Sequence, residues 1–352
     1  MTRRPTWQIV LRYVLVLIVV GLFTFPTYWM VTMAFKPKVE WSTAHGTIYW
    51  VPQNPTLENF ETVLTEYRGK FFRANQSSAL PSIRSSIIVS IGGTLFALLI
   101  GTLAAYGLSR FSRDTGELPW YIALGRLALL ILVLLPFMVL WAWLGIIRYW
   151  YGILSFTLLG IGADQLIGRL LALYYRGPTG SLAFSILQLR MFPPMAIVIP
   201  VMIMWSAFKL IDTWYGLVAV YGVVTFPFVV WLMKSFFDEI PRELDEAAIV
   251  DGASNWGAFF KVVLPLAKGG LASTALFVFI LNWSDFLIAL LLTTRDWPTI
   301  PVFLNSLVSS EIGAQHGPKA ALGLLAVIPP VVFGILIQRY LVRGLTFGAI
   351  KR

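Results

Sequence analysis

The chain has 352 residues, of which 58% are hydrophobic and 12% charged. Soluble domains carry about 25% charged residues, so this balance excludes an ordinary soluble fold and points to an integral membrane protein. The formal net charge is +10, but the basic side chains are scattered near the ends of apolar runs, as in the cytoplasmic loops of membrane proteins and unlike a nucleic-acid-binding surface. Cysteine is absent, which removes disulfides, thiolate metal sites and thiol nucleophiles.

In chain order, Arg3, Arg4 and Arg12 precede an uncharged apolar run from Tyr13 to Phe35. The run is too long for a signal-peptide core and lacks a small-residue cleavage site after it. It predicts a retained first membrane helix with a cytoplasmic N-terminus, within a first region of residues 1–35. Residues 36–84 are polar and rich in Trp, Pro and Asn, and are expected to form an external loop. Lys36, Lys38 and Arg84 argue against that side, but the parity of the helices outweighs them. The two histidines, His45 and His316, lie far apart in sequence, both in loops expected outside. They read as surface residues, and no metal site is expected.

Ile87 to Leu108 predicts the second span. Gly92-Gly93, Gly101 and Ala104-Ala105 supply small residues suited to close helix packing in lipid, and Arg110 closes the run on the cytoplasmic side. A strongly apolar insert of about residues 114–182 follows. Trp120 to Ile147 has the length of a span with one charge, Arg126, whereas Asp164 and Arg169 interrupt Tyr149 to Tyr174. The insert is expected to form two additional membrane helices over residues 118–175, with an interfacial or re-entrant second segment as the alternative. Leu187 to Phe208, opened by Phe192-Pro193-Pro194 and containing Pro200, and Tyr215 to Met233, with a kink expected at Pro227, are the next spans. Prolines are tolerated there because neighbouring helices satisfy the freed carbonyls.

Between Met233 and Leu271 lies a compact polar stretch, about residues 238–268. Pro241 suits a first helical turn, and Arg242 to Asp251 are helix formers. Gly252 is the natural stop because glycine takes a left-handed backbone at little cost. Ser254 is placed to cap a second short helix, and Pro265 is expected to end it. Leu244, Ala247, Ala248 and Asp251 share one face by helical spacing, and its two alanines permit close approach of another surface. Lys234, Arg242, Lys261 and Lys268 flank the stretch and place it in the cytoplasm. Leu271 to Leu292 predicts another span, and Ala320 to Gln338 the last, bent at Pro329-Pro330. Arg339, Arg343, Lys351 and Arg352 hold the C-terminus inside, so both termini are expected in the cytoplasm.

Glu246-Ala247-Ala248, then Gly252, Val262 and Leu264-Pro265, resemble in identity and spacing the EAA loop of ABC importer permeases, with Val262 where isoleucine is usual. The resemblance implies an all-α integral membrane protein with the type I ABC importer transmembrane fold, six core helices plus the two-helix insertion. On this reading residues 85–340 form the permease domain and 341–352 a cytoplasmic tail. It implies that Glu246, Ala247, Ala248, Asp251, Gly252, Ala253, Leu264 and Pro265 couple to an ATPase subunit. Asn282-Trp283-Ser284-Asp285-Phe286 and the tail from Gln338 to Lys351 resemble segments of the carbohydrate, maltose-type branch, although Ser284 stands where that branch has Asn. Pro55 to Phe60 is similar to a phrase of the same branch and is expected to face an external binding protein. In that branch the tail reaches between the ATPase subunits, which assigns contacts to Gly348, Ala349 and Lys351.

No phosphate loop of the form GxxxxGK[ST] is present, and no nucleophile–base arrangement stands out, so no catalytic residue is assigned. The resemblance implies a second homologous permease, two ATP-binding subunits that hold ATP and Mg, an external sugar-binding protein and a bilayer, the plasma membrane of a bacterium or archaeon. Asn282, Asp285, Trp205, Tyr221 and Trp231 are the substrate-pathway candidates. For Asn282 and Asp285, at helical i, i+3 spacing, the alternative is an interhelical brace; for the aromatic residues it is interfacial anchoring. Two other classes, a membrane-embedded lipid-linked sugar transferase and a stand-alone secondary carrier, stand as rivals. The first lacks acidic clusters near the membrane face, and the second lacks an internal repeat.

Overall fold

A computed structural model describes residues 6–41, 48–65, 78–110, 194–309 and 313–347. The insert expected to add two helices over 118–175, the first residues of the span expected from Leu187, and the tail residues Gly348, Ala349 and Lys351 lie outside the described residues. So do His45 and the stretch 66–77.

The described elements are helical apart from one pairing of two residues with two. They run α1 (Thr6–Ala34), α2 (Glu58–Leu64), α3 (Leu80–Arg110), α4 (Pro194–Ala207), α5 (Trp214–Asp238), α6 (Glu243–Val250), α7 (Asn255–Leu266), α8 (Lys268–Ser284), α9 (Leu287–Leu292) and α10 (Ile300–Ser306). Strands β1 (Val308–Ser309) and β2 (Gly313–Ala314) then pair antiparallel, Val308 opposite Ala314, before α11 (His316–Phe347). Among the described residues, Leu11–Ala34, Leu80–Arg110, Trp214–Asp238 and His316–Gln338 are long and apolar enough to cross a bilayer. Helices are the expected answer to such sequences, because lipid offers the backbone no hydrogen bonds and the segment must satisfy its own.

Two expectations need correction. The apolar run Leu271 to Leu292 is not one helix. The helix begins at Lys268 and stops at Ser284, the backbone at Asp285 is extended (φ −68°, ψ 128°), and a short helix resumes at Leu287. Periodicity did not reveal this, because the long apolar runs before Asn282 and after Asp285 together have the length of one span. The last helix is also longer than Ala320 to Gln338, running from His316 to Phe347 with Pro329 and Pro330 inside it.

The chain forms two compact units. In the first, Met1–Ser85 with Pro298–Val332, the C-terminal end of α1 is tied down by the loop that follows it. The Asn59 amide donates to the carbonyls of Ala34 and Lys36, both at 2.8 Å, groups a helix end leaves without internal partners. The Phe35 and Phe60 rings pack 5.3 Å apart. Lys36 is 1% exposed; its ammonium donates to the Tyr49 carbonyl and lies 4.3 Å from the Trp29 ring centroid, a cation–π contact. Burial lowers the Lys36 pKa, and the Glu40 carboxylate partly opposes that shift. Glu40 in turn accepts from the Gln53 and Asn54 amides.

The second unit, Ser86–Trp297 with Phe333–Arg352, is built on the packing of α3, α5 and α8. A Cβ on Gly93 would stand 2.8 Å from the Tyr221 Cβ, and one on Gly101 would stand 2.7 Å from the Val229 Cβ, so the small residues of α3 do permit close approach to α5. Ala97, Ala105 and Tyr106 of α3 share a core with Val229, Met233 and Phe237 of α5, Phe259 and Val263 of α7, and Val278 of α8.

Candidate functional site: the 238–268 loop and a buried polar pair

The loop is a helix, a tight turn and a second helix. The first helix begins at Glu243, one residue later than Arg242, which occupies its N-cap position. It ends in two backbone bonds that close the turn. The Gly252 amide donates to the Ile249 carbonyl and the Ala253 amide to the Ala248 carbonyl, each at 3.0 Å. This is the Schellman pattern, which needs a left-handed residue at the first of the two donors. Gly252 takes that conformation, with φ 90°. The contribution of Ala253 is thus its backbone amide. The Ser254 hydroxyl oxygen accepts from the Gly257 amide at 3.2 Å and caps the second helix.

Pro265 does not end that helix. It sits within the final turn, and the chain bends by 75° between Asn255–Leu266 and Lys268–Ser284. Residues Phe259–Val263 form a wider π-type turn, a distortion often found at functional sites. It brings Phe259 into the core, 1% exposed and 4.6 Å from the Tyr106 ring. Burying such a side chain contributes about 1.5–3 kcal/mol, so α7 is fastened to the bundle by apolar contact.

The first helix is fastened differently. Its one buried residue is Asp245. The Asp245 carboxylate lies 2.5 Å from Arg110 Nε, with side chains 9% and 5% exposed. The alignment is that of an ionic contact and not of a hydrogen bond: neither Asp245 oxygen has a hydrogen-bond donor. Around the pair, Arg110 Nη2 donates to the Ile240 carbonyl at 3.0 Å, Arg242 Nη2 to the Ser109 carbonyl at 2.9 Å, and the Ser109 hydroxyl to Asp238 Oδ1 at 2.6 Å. Leu244, Glu246, Ala247, Ile249, Val250, Asp251, Gly252 and Pro265 are exposed, while Ala248, Ala253 and Leu264 are half-buried. Val250 is 86% exposed, and Trp256 and Phe260 stack at 6.0 Å on the outside of α7. Motif reading missed Val250, Trp256 and Phe260, which are not among the motif's fixed positions. Asp245 and Arg110 were also missed as a pair, since 135 positions of sequence separate them.

The substrate-pathway candidates are largely engaged with protein. The Asn282 amide donates to the Thr94 hydroxyl at 3.2 Å and is buried. The Tyr221 hydroxyl donates to Asp285 Oδ2 at 3.1 Å. The same oxygen accepts from the Ile288 amide at 3.1 Å and the Ala289 amide at 3.3 Å, so Asp285 is a cap of α9, outside the helix that carries Asn282. The assumed i, i+3 face therefore does not exist. Tyr221 and Asn282 both lie against Gly93: a Cβ there would stand 2.8 Å from Tyr221 Cβ and 3.3 Å from Asn282 Nδ2. Trp205 is half-buried, and its indole donates to the Gly216 carbonyl at 3.1 Å. Trp231 stands apart, 43% exposed. His316 is exposed at the start of α11. Among the described residues no three His, Asp or Glu side chains gather where they could hold a metal ion.

A further polar knot lies in the loops of this unit. Asp212, at φ 59°, receives the Thr294 hydroxyl (2.7 Å) and the amides of Arg295 (2.7 Å), Asp296 (2.9 Å) and Trp297 (3.0 Å). Desolvation would raise the Asp212 pKa, but these hydrogen bonds outweigh it and hold the carboxyl below its usual range.

Residues 165–347 match the family described as "Binding-protein-dependent transport system inner membrane component". The chain is 31% identical over 351 residues to "Trehalose transport system permease protein SugB" of Mycobacterium tuberculosis, covering 99% of this chain and 98% of that one. It is 26% identical over 337 residues to "Sulfoquinovosyl glycerol transport system permease protein SmoH" of Agrobacterium fabrum, covering 96% and 91%. A protein of Sinorhizobium fredii, "Probable ABC transporter permease protein y4oR", is 41% identical over 172 residues, a match that spans 49% of this chain and 62% of that protein. The fold is similar to a chain from the "Crystal structure of a bacterial ABC transporter involved in the import of the acidic polysaccharide alginate". The TM-score is 0.59 at 18% identity, over 97% of this chain and 99% of that one.

Proposed function

The chain belongs to the family of binding-protein-dependent transport system inner membrane components, and on that premise we propose that it forms half of the translocation pathway of an ATP-driven importer for a sugar or sugar-like solute. As a family member it is a multi-pass inner-membrane protein and a transporter component rather than an enzyme. The relatives named for trehalose and sulfoquinovosyl glycerol support the solute class.

The observation that carries the proposal is the surface of the 243–266 loop. A short helix, closed at its C-terminus by a left-handed glycine, has only a carboxylate buried and leaves Leu244, Ile249 and Val250 exposed, as the helix that follows leaves Trp256 and Phe260. Large apolar side chains left exposed on a short polar loop mark an element made to be covered by a partner. The partner is an ATP-hydrolysing subunit, and Glu246, Ala247, Ala248, Asp251, Gly252, Leu264 and Pro265 belong to the covered element. Two such subunits hold ATP and Mg, with a second homologous permease and an external sugar-binding protein completing the assembly. Both termini lie in the cytoplasm with this loop, and Gly348, Ala349 and Lys351 of the tail approach the ATPases.

In the transport cycle, ATP closes the ATPase pair, the docked helices move with it, and the bundle alternates between inward- and outward-open states. Such a shift requires that the ATPase bind one state better than the other, and a surface helix tied to the bundle meets that requirement. Asn282 and Tyr221 brace the helices from inside the bundle, Asn282 through the Thr94 hydroxyl and Tyr221 through Asp285. The proposal is tested by co-purification: the tagged chain should bring down an ATPase whose activity rises with binding protein and its sugar, and truncation of Val250 and Trp256 to alanine should abolish that recovery.

A further inference from the structure

The two halves of the 243–266 loop are attached to the bundle by opposite means. Helix α7 is held by buried rings, Phe259 against Tyr106 and Phe237. Helix α6 buries no apolar residue at all; Asp245 alone is buried, and it meets Arg110. Arg110 is the last residue of α3, a helix of 31 residues from Leu80. The other ties in this region join the end of α3 to the start of α6, to the segment before it and to the end of α5: Arg242 to the Ser109 carbonyl, Arg110 to the Ile240 carbonyl and Ser109 to Asp238.

We propose that the Arg110–Asp245 ion pair is the strut that transmits movement of the docked α6 helix to the spanning helix α3. Apolar contacts between helices are non-directional and let one surface slide over another. A charge pair taken out of water is different, because separating it leaves two buried charges without partners, a costly state in a low-dielectric interior. A push or pull on α6 is therefore passed to the end of α3 instead of being absorbed between them. The same guanidinium donates from Nη2 to the Ile240 carbonyl, so one side chain contacts both the helix, through the ion pair, and the segment that leads into it. Arg110 and Asp245 are positioning residues and touch neither nucleotide nor solute. The proposal rests on reading 243–266 as the ATPase-docking element.

The test uses the full complex in proteoliposomes, with transport and ATP hydrolysis measured on one preparation in the presence of sugar-loaded binding protein. Asp245→Asn and Arg110→Gln should each lower the number of solutes transported per ATP by roughly tenfold, within the usual range of energetic coupling between sites. The double exchange Arg110→Asp with Asp245→Arg should recover a large part of that ratio. A residue that merely stabilises the fold would lower yield and melting temperature while leaving the ratio unchanged, and that result overturns the proposal. An exchange variant that assembles but stays as uncoupled as the single variants overturns it too. Should Asp245→Asn fail to reach the membrane, Arg110→Gln carries the test alone: it removes the charge from the other partner, and a wild-type ratio in it again counts against the strut. A wild-type complex that shows no stimulated hydrolysis would remove the docking reading and the strut together. Insensitive variants beside a coupled wild type would remove the strut alone.

Discussion

Replacing Gly252 by valine separates conformation from contact at the most informative position of the loop. No heavy atom lies within 4 Å of a Cβ built there, so the substitution meets no steric obstacle, and its effect comes from φ 90° alone. Holding an L-residue in the left-handed region costs about 1–2 kcal/mol. If the turn instead relaxes to negative φ, the two 3.0 Å bonds that close it are lost, each contributing about 0.5–1.5 kcal/mol net. By either route α6 leaves its docking geometry at a cost of about 1–3 kcal/mol, which is roughly 5–150-fold in the affinity of the ATPase for this subunit. The assay is sugar-stimulated ATP hydrolysis as a function of added ATPase subunit, with membrane abundance of the permease measured in parallel. The half-saturating concentration should rise while abundance is unchanged, and Gly252→Ala should fall between wild type and Gly252→Val. Wild-type titration curves for Gly252→Val would show that the left-handed turn is not needed for docking.

Other consequences follow from particular contacts. Gly93→Ala places a Cβ 2.8 Å from Tyr221 Cβ, which cannot swing away, and overpacking of this kind costs about 1–3 kcal/mol; Gly107→Ala, with nothing within 4 Å, should be neutral or raise the melting temperature slightly, and equal melting of the two variants would contradict the packing of α3 on α5. Asn282→Ala strips the Thr94 hydroxyl of its partner and should destabilise the protein by about 1–3 kcal/mol; an unchanged melting temperature together with an unchanged sugar preference would deny it any inward role. Because the Asp212 pKa is held below its ordinary value of 3.8, its hydrogen bonds stabilise the folded state above that value and are lost as pH falls through the lower, folded one. Asp212→Asn should therefore flatten part of the acid-side decline in melting temperature, and identical acid limbs would refute the clamp. Removing both charges with Glu246→Gln and Asp251→Asn should weaken assembly at low ionic strength, with the gap from wild type closing as salt screens the attraction; a gap that does not depend on salt would mean these side chains dock through shape or not at all.

Local chemistry made the 243–266 loop legible. Gly252, Ser254 and the helix between Pro241 and Gly252 are each dictated by neighbours a few residues away, and their geometry in the structure follows from capping rules. The spans were legible for a similar reason, since apolar length alone decides them. Three features were not. The break at Asp285 is set by a carboxylate that caps α9 and takes the Tyr221 hydroxyl, a partner 64 positions away on another helix. Arg110 reads from sequence as a positive residue at a membrane edge, and only the fold turns it toward Asp245. Lys36 reads from sequence as a basic residue bearing on which side of the membrane the loop lies, yet in the fold its ammonium is taken up by the Tyr49 carbonyl and the Trp29 ring. In each case the deciding contact is polar and long-range, and hydrophobic pattern carries no record of it.

The central claim is that this chain conveys ATP hydrolysis elsewhere into movement of its own helices. The most direct measurement is ATP hydrolysis by the complex reconstituted around the tagged chain, taken with empty binding protein and then with binding protein loaded from a panel of sugars. The account predicts low hydrolysis with empty binding protein and a rise with one class of sugar, abolished when Val250 and Trp256 are truncated. Transport of that sugar by the chain alone in vesicles, without any ATPase subunit, would contradict it.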